Sequence, residues 1–194
     1  MNTRTMDEQE TNPGANGRFA RAIALIDAAN AEDPRRDREG DAEVPRELLY
    51  SQRMSAMLGR FAPGASEALR LAVRAQHIRR WTIPRDTYPK TPEGYQQWRR
   101  ELMRFHAQTA GALLREAGYD EAMVERVAAL LQKRGLKSNA ETQALEDVIG
   151  LVFLEHTLAS FASEHGDYEE AKFIDILQKT LRKMSAEEIG RAHV

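Results

Sequence analysis

The sequence predicts an all-α, single-domain bundle of about seven helices. Three observations carry that expectation: apolar residues recur at helical spacing along most of the chain, Pro, Gly and short polar residues sit where such helices should start and stop, and no stretch shows the alternation of a half-buried strand. At 194 residues one well-buried core is the natural outcome. Residues 1 to 16 are polar, include Asn-Pro-Gly and read as a disordered leader; the helical domain spans 17 to 185, and 186 to 194 form a tail.

Phe19, Ala22, Ile23 and Ile26 give the first helix one apolar face, and Asp33-Pro34 ends it. The charged segment PRRDREGDAE reads as a solvated linker. A second helix begins near Pro45, runs through Leu49, Met54, Met57 and Leu58, and stops at Pro63-Gly64. The third carries Leu69, Ala72, Val73 and Gln76 on one side and Leu71, Ala75 and Ile78 on another. A helix apolar on two sides is central, which puts Gln76 and His77 deep in the domain or at the mouth of an internal cavity.

Thr82 to Pro92 contains three prolines and is the best candidate for a loop over a site. Thr91-Pro92 then opens a long helix with Tyr95, Trp98, Leu102, Phe105 and Thr109 on one stripe, closed by Gly118. Asp120 caps the next helix, which ends at Gly135. Ser138 and Glu141 have capping-box spacing before a helix over about 139 to 165, and the last helix runs from about Tyr168 to Met184.

Composition removes several function classes. The 28 Lys and Arg against 30 Asp and Glu leave a net charge of -2, so no global field draws in nucleic acid, and any anion site must be local. With no cysteine there is no disulfide, zinc-thiolate site or thiol nucleophile. The first residues lack the apolar run of a secretory signal, and no stretch has the roughly 18 apolar residues of a membrane span, so a cytoplasmic protein with no membrane contact is expected. Walker loops, HExxH, Gly-x-Ser-x-Gly and dinucleotide fingerprints are absent.

What remains is a set of polar residues on apolar helices. In AVRAQHIRRWTIPR, residues 72 to 85, His77 lies among Arg79, Arg80 and Arg85, and Arg99 follows on the next helix. Guanidinium groups hold phosphate or carboxylate by paired hydrogen bonds, and an imidazole beside them can move a proton or ligate a metal. His106 is spaced to face inward. Glu146 and Asp147 interrupt ALEDVIGLVFLEH, where a carboxylate is costly to bury without a partner. The bland alternative is a hydrogen-bonded core histidine and arginines paired with surface carboxylates. Arg79-Arg80-Trp81 and Trp98-Arg99-Arg100 also offer a basic, aromatic patch for nucleic acid, which the overall charge disfavours.

Over residues 45 to 160 the order of features resembles the HD-domain superfamily of all-α, metal-dependent phosphohydrolases. Tyr50-Ser51-Gln52-Arg53 stands where that superfamily has its first His segment, His77-Ile78 where it has His-Asp, and Asp147 on the helix that carries the last ligand; His106 resembles the extra histidine of binuclear members. Two ligand positions are thus Tyr50 and Ile78. The whole chain is also similar to the domain-of-unknown-function family numbered 4202, through Gln76-His77-Ile78-Arg79-Arg80-Trp81, Ile83-Pro84-Arg85, Trp98-Arg99, His106 and Leu145-Glu146-Asp147-Val148.

The resemblance implies a diverged HD-like enzyme acting on a phosphorylated or other anionic small molecule, a nucleotide among the candidates. In it His77, His106 and Asp147, with Glu146 in reserve, hold a divalent metal (manganese, iron or magnesium) or run acid-base chemistry, while Arg79, Arg80, Arg85 and Arg99 fix the anion. The alternative is a non-catalytic anion- or nucleotide-binding regulatory module that has lost the metal. A homodimer is an open expectation in both.

Overall fold

The computed structural model describes residues 13–157 and 170–185, and it is mostly α-helical. Helix α1 (Pro13–Ala31) is followed by a two-stranded antiparallel hairpin, β1 (Arg36–Glu39) and β2 (Ala42–Pro45). Then come α2 (Arg46–Phe61), α3 (Glu67–Ala75), α4 (Pro92–Ala117), α5 (Glu121–Leu131), α6 (Ala140–Val152) and α7 (Glu170–Leu181). Seven α-helices among the described residues match the expected bundle. No described helix is long and apolar enough to cross a membrane.

Two expectations fail at the N-terminal side. Pro13 to Asn16, assigned to the leader, already belong to α1; residues 1 to 12 lie outside the described residues. The charged linker is a hairpin. Its strands are mostly exposed, so no apolar alternation betrays them, and the turn is made by Gly40 at a φ of 60°.

Helix α3 is the hub. Its Ala68, Leu69, Leu71, Ala72, Val73 and Ala75 are all buried, and it packs against α1, α2, α5 and α6. Burial on every side follows from its having no charged residue between Glu67 and Arg74 except Arg70, whose guanidinium escapes over the Phe19 ring. Ile78, just past α3, is wholly buried as well.

Most expected caps are present. Thr91 accepts the Gly94 N–H at 3.1 Å with Pro92 in the first turn, Gly118 closes α4 at a φ of 95°, and Asp120 accepts the Met123 N–H at 2.9 Å. At α6 the cap is Asn139 instead, taking the Glu141 and Thr142 N–H groups at 2.9 and 3.0 Å. Ser138 donates to the Gly135 carbonyl, so the capping box does not form. Helix α6 ends at Val152 in a π-turn over Phe153–Thr157, and its expected extension to residue 165 lies outside the described residues. The buried face of α4 is rotated from the expected stripe: Trp98, Leu102, His106, Ala110 and Leu114 point inward, while Tyr95 is 40% exposed.

The Thr82 to Pro92 loop is rigidly tied. It holds two 3-10 turns, Arg80–Thr82 and Arg85–Thr87; Arg85 donates to the Tyr88 and Pro89 carbonyls at 3.0 and 2.9 Å, and the Trp98 indole N–H donates to the Ile83 carbonyl at 2.9 Å. Gly94 lies so close beneath it that a Cβ there would sit 2.2 Å from the Pro89 carbonyl oxygen.

Ile78 stands where the expected resemblance to the HD pattern would put an Asp, so introducing one there tests what the fold allows. Ile78→Asp places a carboxylate among fully buried apolar side chains; a loss of about 3–5 kcal/mol in urea unfolding is expected, with no metal acquired.

Candidate functional site: a cationic cavity beneath the C-terminal helix

The turn that leaves α3 places the polar residues. After Gln76 the chain cannot continue as a helix, because Arg79 takes a left-handed conformation at a φ of 49°, its N–H held by the Asn30 side chain at 3.1 Å. This swings His77 and Arg80 to one side and Arg79 to the other. Arg80 Nη1 donates to His77 Nε2 at 3.0 Å. A guanidinium can only donate, so Nε2 is the acceptor and the proton of the neutral ring is on Nδ1, 3.3 Å from Glu47 Oε2. Tyr50 stacks on the His77 ring at 4.1 Å and 13°.

Glu47 continues this chain of contacts backwards. It is 3% exposed, and Arg35 donates to its other oxygen at 2.8 Å. Arg35 in turn clamps Asp33, which also accepts the Glu47 backbone N–H at 3.2 Å. Pro45 offers α2 no side-chain cap, and Asp33 supplies one from a distance. Burial raises the Glu47 carboxyl, but the His77 hydrogen bond and the charges of His77, Arg80 and Arg35 outweigh it and hold the group below its ordinary range. Burial and the Arg80 charge push His77 down to about 4 against the opposing pull of Glu47, so the ring is neutral at pH 7.

His106 lies with its ring centroid 6.0 Å from that of His77. Its Nδ1 donates to the Gln76 carbonyl at 2.8 Å, leaving Nε2 as a bare acceptor, buried without a hydrogen-bond partner. Burial, with the charges of His77 and Arg80, holds its proton affinity well below that of an ordinary imidazole.

These groups open on a cavity of about 480 Å³. Gln76, His77 and Arg80 form one side; Trp98, Leu102 and His106 of α4 form a second; Glu146, Ile149 and Phe153 form a third. Arg99 and Lys133 reach it from α4 and from the turn after α5, and Thr180 and Lys183 close it from α7 and the turn that follows. Arg80 lies over the Trp98 ring at 4.8 Å. Lys133 is another non-glycine residue at positive φ, 56°, and pairs with Glu146, both side chains being nearly buried. Among the described residues no carboxylate lies within ion-pair distance of Arg80, Arg99 or Lys183. Burial raises the Tyr95 phenol, yet its bond from Arg99 and the charges of Arg99, Lys183 and Arg80 bring it below its usual value.

The structure therefore gathers His77, His106, Glu146, Arg80 and Arg99 of the expected residues and leaves out three. Arg79 pairs with Glu32 on the surface at 2.7 Å, because residues one apart on a turn point in different directions. Arg85 is consumed by the loop carbonyls. Asp147 is buried but does not line the cavity: its Oδ1 accepts the Ser185 N–H at 2.7 Å and the Gln143 amide at 3.0 Å. Glu47, Lys133 and Lys183 were not singled out in the sequence, since each sits in a locally ordinary context. His165 and His193 lie outside the described residues.

A divalent metal of the HD type does not fit these residues. Both ring nitrogens of His77 are engaged, Asp147 holds a backbone amide, and no three His, Asp or Glu side chains among the described residues converge on one point. The Trp98 indole, bonded to the loop, is likewise not presented to solvent for stacking on a nucleic acid.

The fold and cavity define a mostly α-helical single-domain protein with a local, partly apolar cationic pocket. The chain belongs to the family described as a domain of unknown function (DUF4202), whose model matches residues 20–193. No curated protein and no solved structure matches it.

Asp147 and Gly150 hold the C-terminal segment to α6: Met184 packs so closely on Gly150 that a Cβ there would meet its sulfur at 2.7 Å, and the Gln143 amide donates to the Lys183 carbonyl at 2.8 Å. Asp147→Ala should speed hydrogen exchange of the Ser185 amide at least tenfold, by roughly 1.4 kcal/mol of lost local protection, with metal content unchanged. Acid should act through the histidines. A folded-state value depressed below the unfolded one gives stability that is present above about pH 6.5 and is lost as pH falls toward 4. A fall on the order of 2 kcal/mol over that window, beginning above the carboxylate range, is expected in urea unfolding.

Proposed function

We propose that this protein binds a small phosphorylated or carboxylated molecule in the cavity, as a non-catalytic anion-binding module on a diverged HD-like scaffold. The observation that carries this reading is the convergence of Arg80, Arg99 and Lys183, none with a carboxylate partner among the described residues, on one cavity of about 480 Å³. Arg80 and Arg99 are half-buried and Lys183 stands exposed at the rim, and an anion among them is attracted by all three. The volume suits a metabolite of nucleotide size, and Trp98, Leu102, Ile149 and Phe153 give its apolar part a wall. The HD-like ancestry draws support from Tyr50, which stands at the first-ligand position and stacks directly on His77 at the second.

A second reading keeps acid-base chemistry at His106, which lines the cavity and whose buried Nε2 has no hydrogen-bond partner. Its lowered proton affinity makes it a weak base, which is why binding is placed first. Turnover of any member of a panel of phosphorylated metabolites, abolished in His106→Gln, would reverse that order.

Calorimetric titration with phosphorylated metabolites tests the primary reading. Arg99→Ala and Lys183→Ala should each weaken binding about tenfold or more, while Arg79→Ala and Arg85→Ala should change it less than about threefold. Equal effects from all four would sink the assignment of this cavity.

A further inference from the structure

The cavity is not polar in one sense only. Its cations want an anion, but its floor presents acceptors. His106 Nε2 is fixed as an acceptor by geometry, because the other ring nitrogen gives its proton to the Gln76 carbonyl. The His106 residue is 3% exposed, and Nε2 has no hydrogen-bond partner. Gln76 lines the same cavity beside it, and its amide oxygen is buried without a partner too. Two buried acceptors on one cavity are costly to leave bare, and neither can be satisfied by the deprotonated oxygens of a carboxylate or a phosphate-ester dianion, which only accept. Both atoms are shut off from cavity water, so in the free protein they stay bare. A ligand donor admitted by a small shift of either side chain recovers the missing bond.

Resting on the anion-binding reading above, we propose that the ligand is bipolar: an anion held by Arg80, Arg99 and Lys183, joined through a ring or short apolar piece to an amino, amide or hydroxyl donor that meets His106 Nε2 and Gln76 Oε1. His77 sets the spacing between the two ends, its ring centroid 6.0 Å from that of His106 and its Nε2 3.0 Å from Arg80. Amino-substituted aryl phosphates and nucleoside monophosphates with an exocyclic amine belong to this class, whereas simple alkyl or aryl phosphates do not. The Glu47–His77 contact serves the same discrimination, since His77 with both nitrogens engaged has no spare donor to offer the anion.

Two matched pairs separate donor from shape: 4-aminophenyl and 4-methylphenyl phosphate, and the corresponding 3-substituted pair. Calorimetric titration at pH 7.5, with inorganic phosphate as the bare anion, gives the affinities. Spectra of ¹⁵N-histidine-labelled wild-type protein follow the unprotonated nitrogen of His106. The expected result is a donor-bearing member that binds tenfold or more tightly than its isostere in at least one pair, and that alone moves the His106 nitrogen resonance upfield. In His106→Phe the preference should fall to near unity; should that variant fail to fold, the wild-type spectra decide. Equal affinities in all pairs, or a preference with an unmoved His106 resonance, overturn the bipolar ligand and leave anion binding intact. If neither the pairs nor phosphate bind, the anion-binding reading fails and this inference fails with it.

Discussion

The buried carboxylate of Glu47 is the constraint on which the polar half of this structure is built. A charge that is 3% exposed must be met on every side or the fold loses several kcal/mol. Here Arg35 meets one oxygen and His77 faces the other, while Asp33 holds Arg35 and caps the helix that carries Glu47. Satisfying one group thus fixes the segment leading into the hairpin, the start of α2 and the turn after α3. Arg80 is the last member of the chain, and its place over the cavity follows from a requirement that begins at Asp33.

Two kinds of buried cation face the cavity, and their difference is informative. Lys133 has Glu146 and is internally balanced, so breaking that pair would strand a charge. Arg80 has a histidine and an indole face instead, which orient the guanidinium, and the Glu47 charge acts on it only from beyond ion-pair distance. Burial lowers its proton affinity, though not enough to discharge a guanidinium near pH 7. Of the three non-glycine residues at positive φ, Arg79, Lys133 and Lys137, Lys133 lines the cavity and Arg79 directly precedes Arg80, each holding its conformation at a cost of about 1 kcal/mol or more.

Much of the helical frame was legible because helices announce themselves locally. Periodicity found α2 to α5, and Thr91, Gly118 and Asp120 marked ends by their own chemistry. The hairpin was hidden because its residues are charged and mostly exposed, leaving no alternation to read. Within the site, His77 and His106 stood out as polar groups on apolar faces. Arg79 and Arg85 misled because adjacency in sequence says nothing of direction once the helix breaks; the left-handed turn at Arg79 decides which guanidinium enters. Glu47 was invisible for the opposite reason, since a Glu in a first helical turn is ordinary and only its distant partners make it exceptional. Asp147 was recognised as buried, but its partner, the Ser185 amide, lies 38 residues away.

The contact between Gly94 and the Pro89 carbonyl bears on how a ligand would be selected. A helix and a three-proline loop that touch this closely, with Arg85 and Trp98 tying the loop from both ends, have almost no freedom relative to each other. The aromatic wall of the cavity is therefore already in its final arrangement before anything arrives. For the ligand proposed above, little conformational entropy would be left to lose there on association, and selectivity at that wall would work by rejecting shapes rather than by adapting to them.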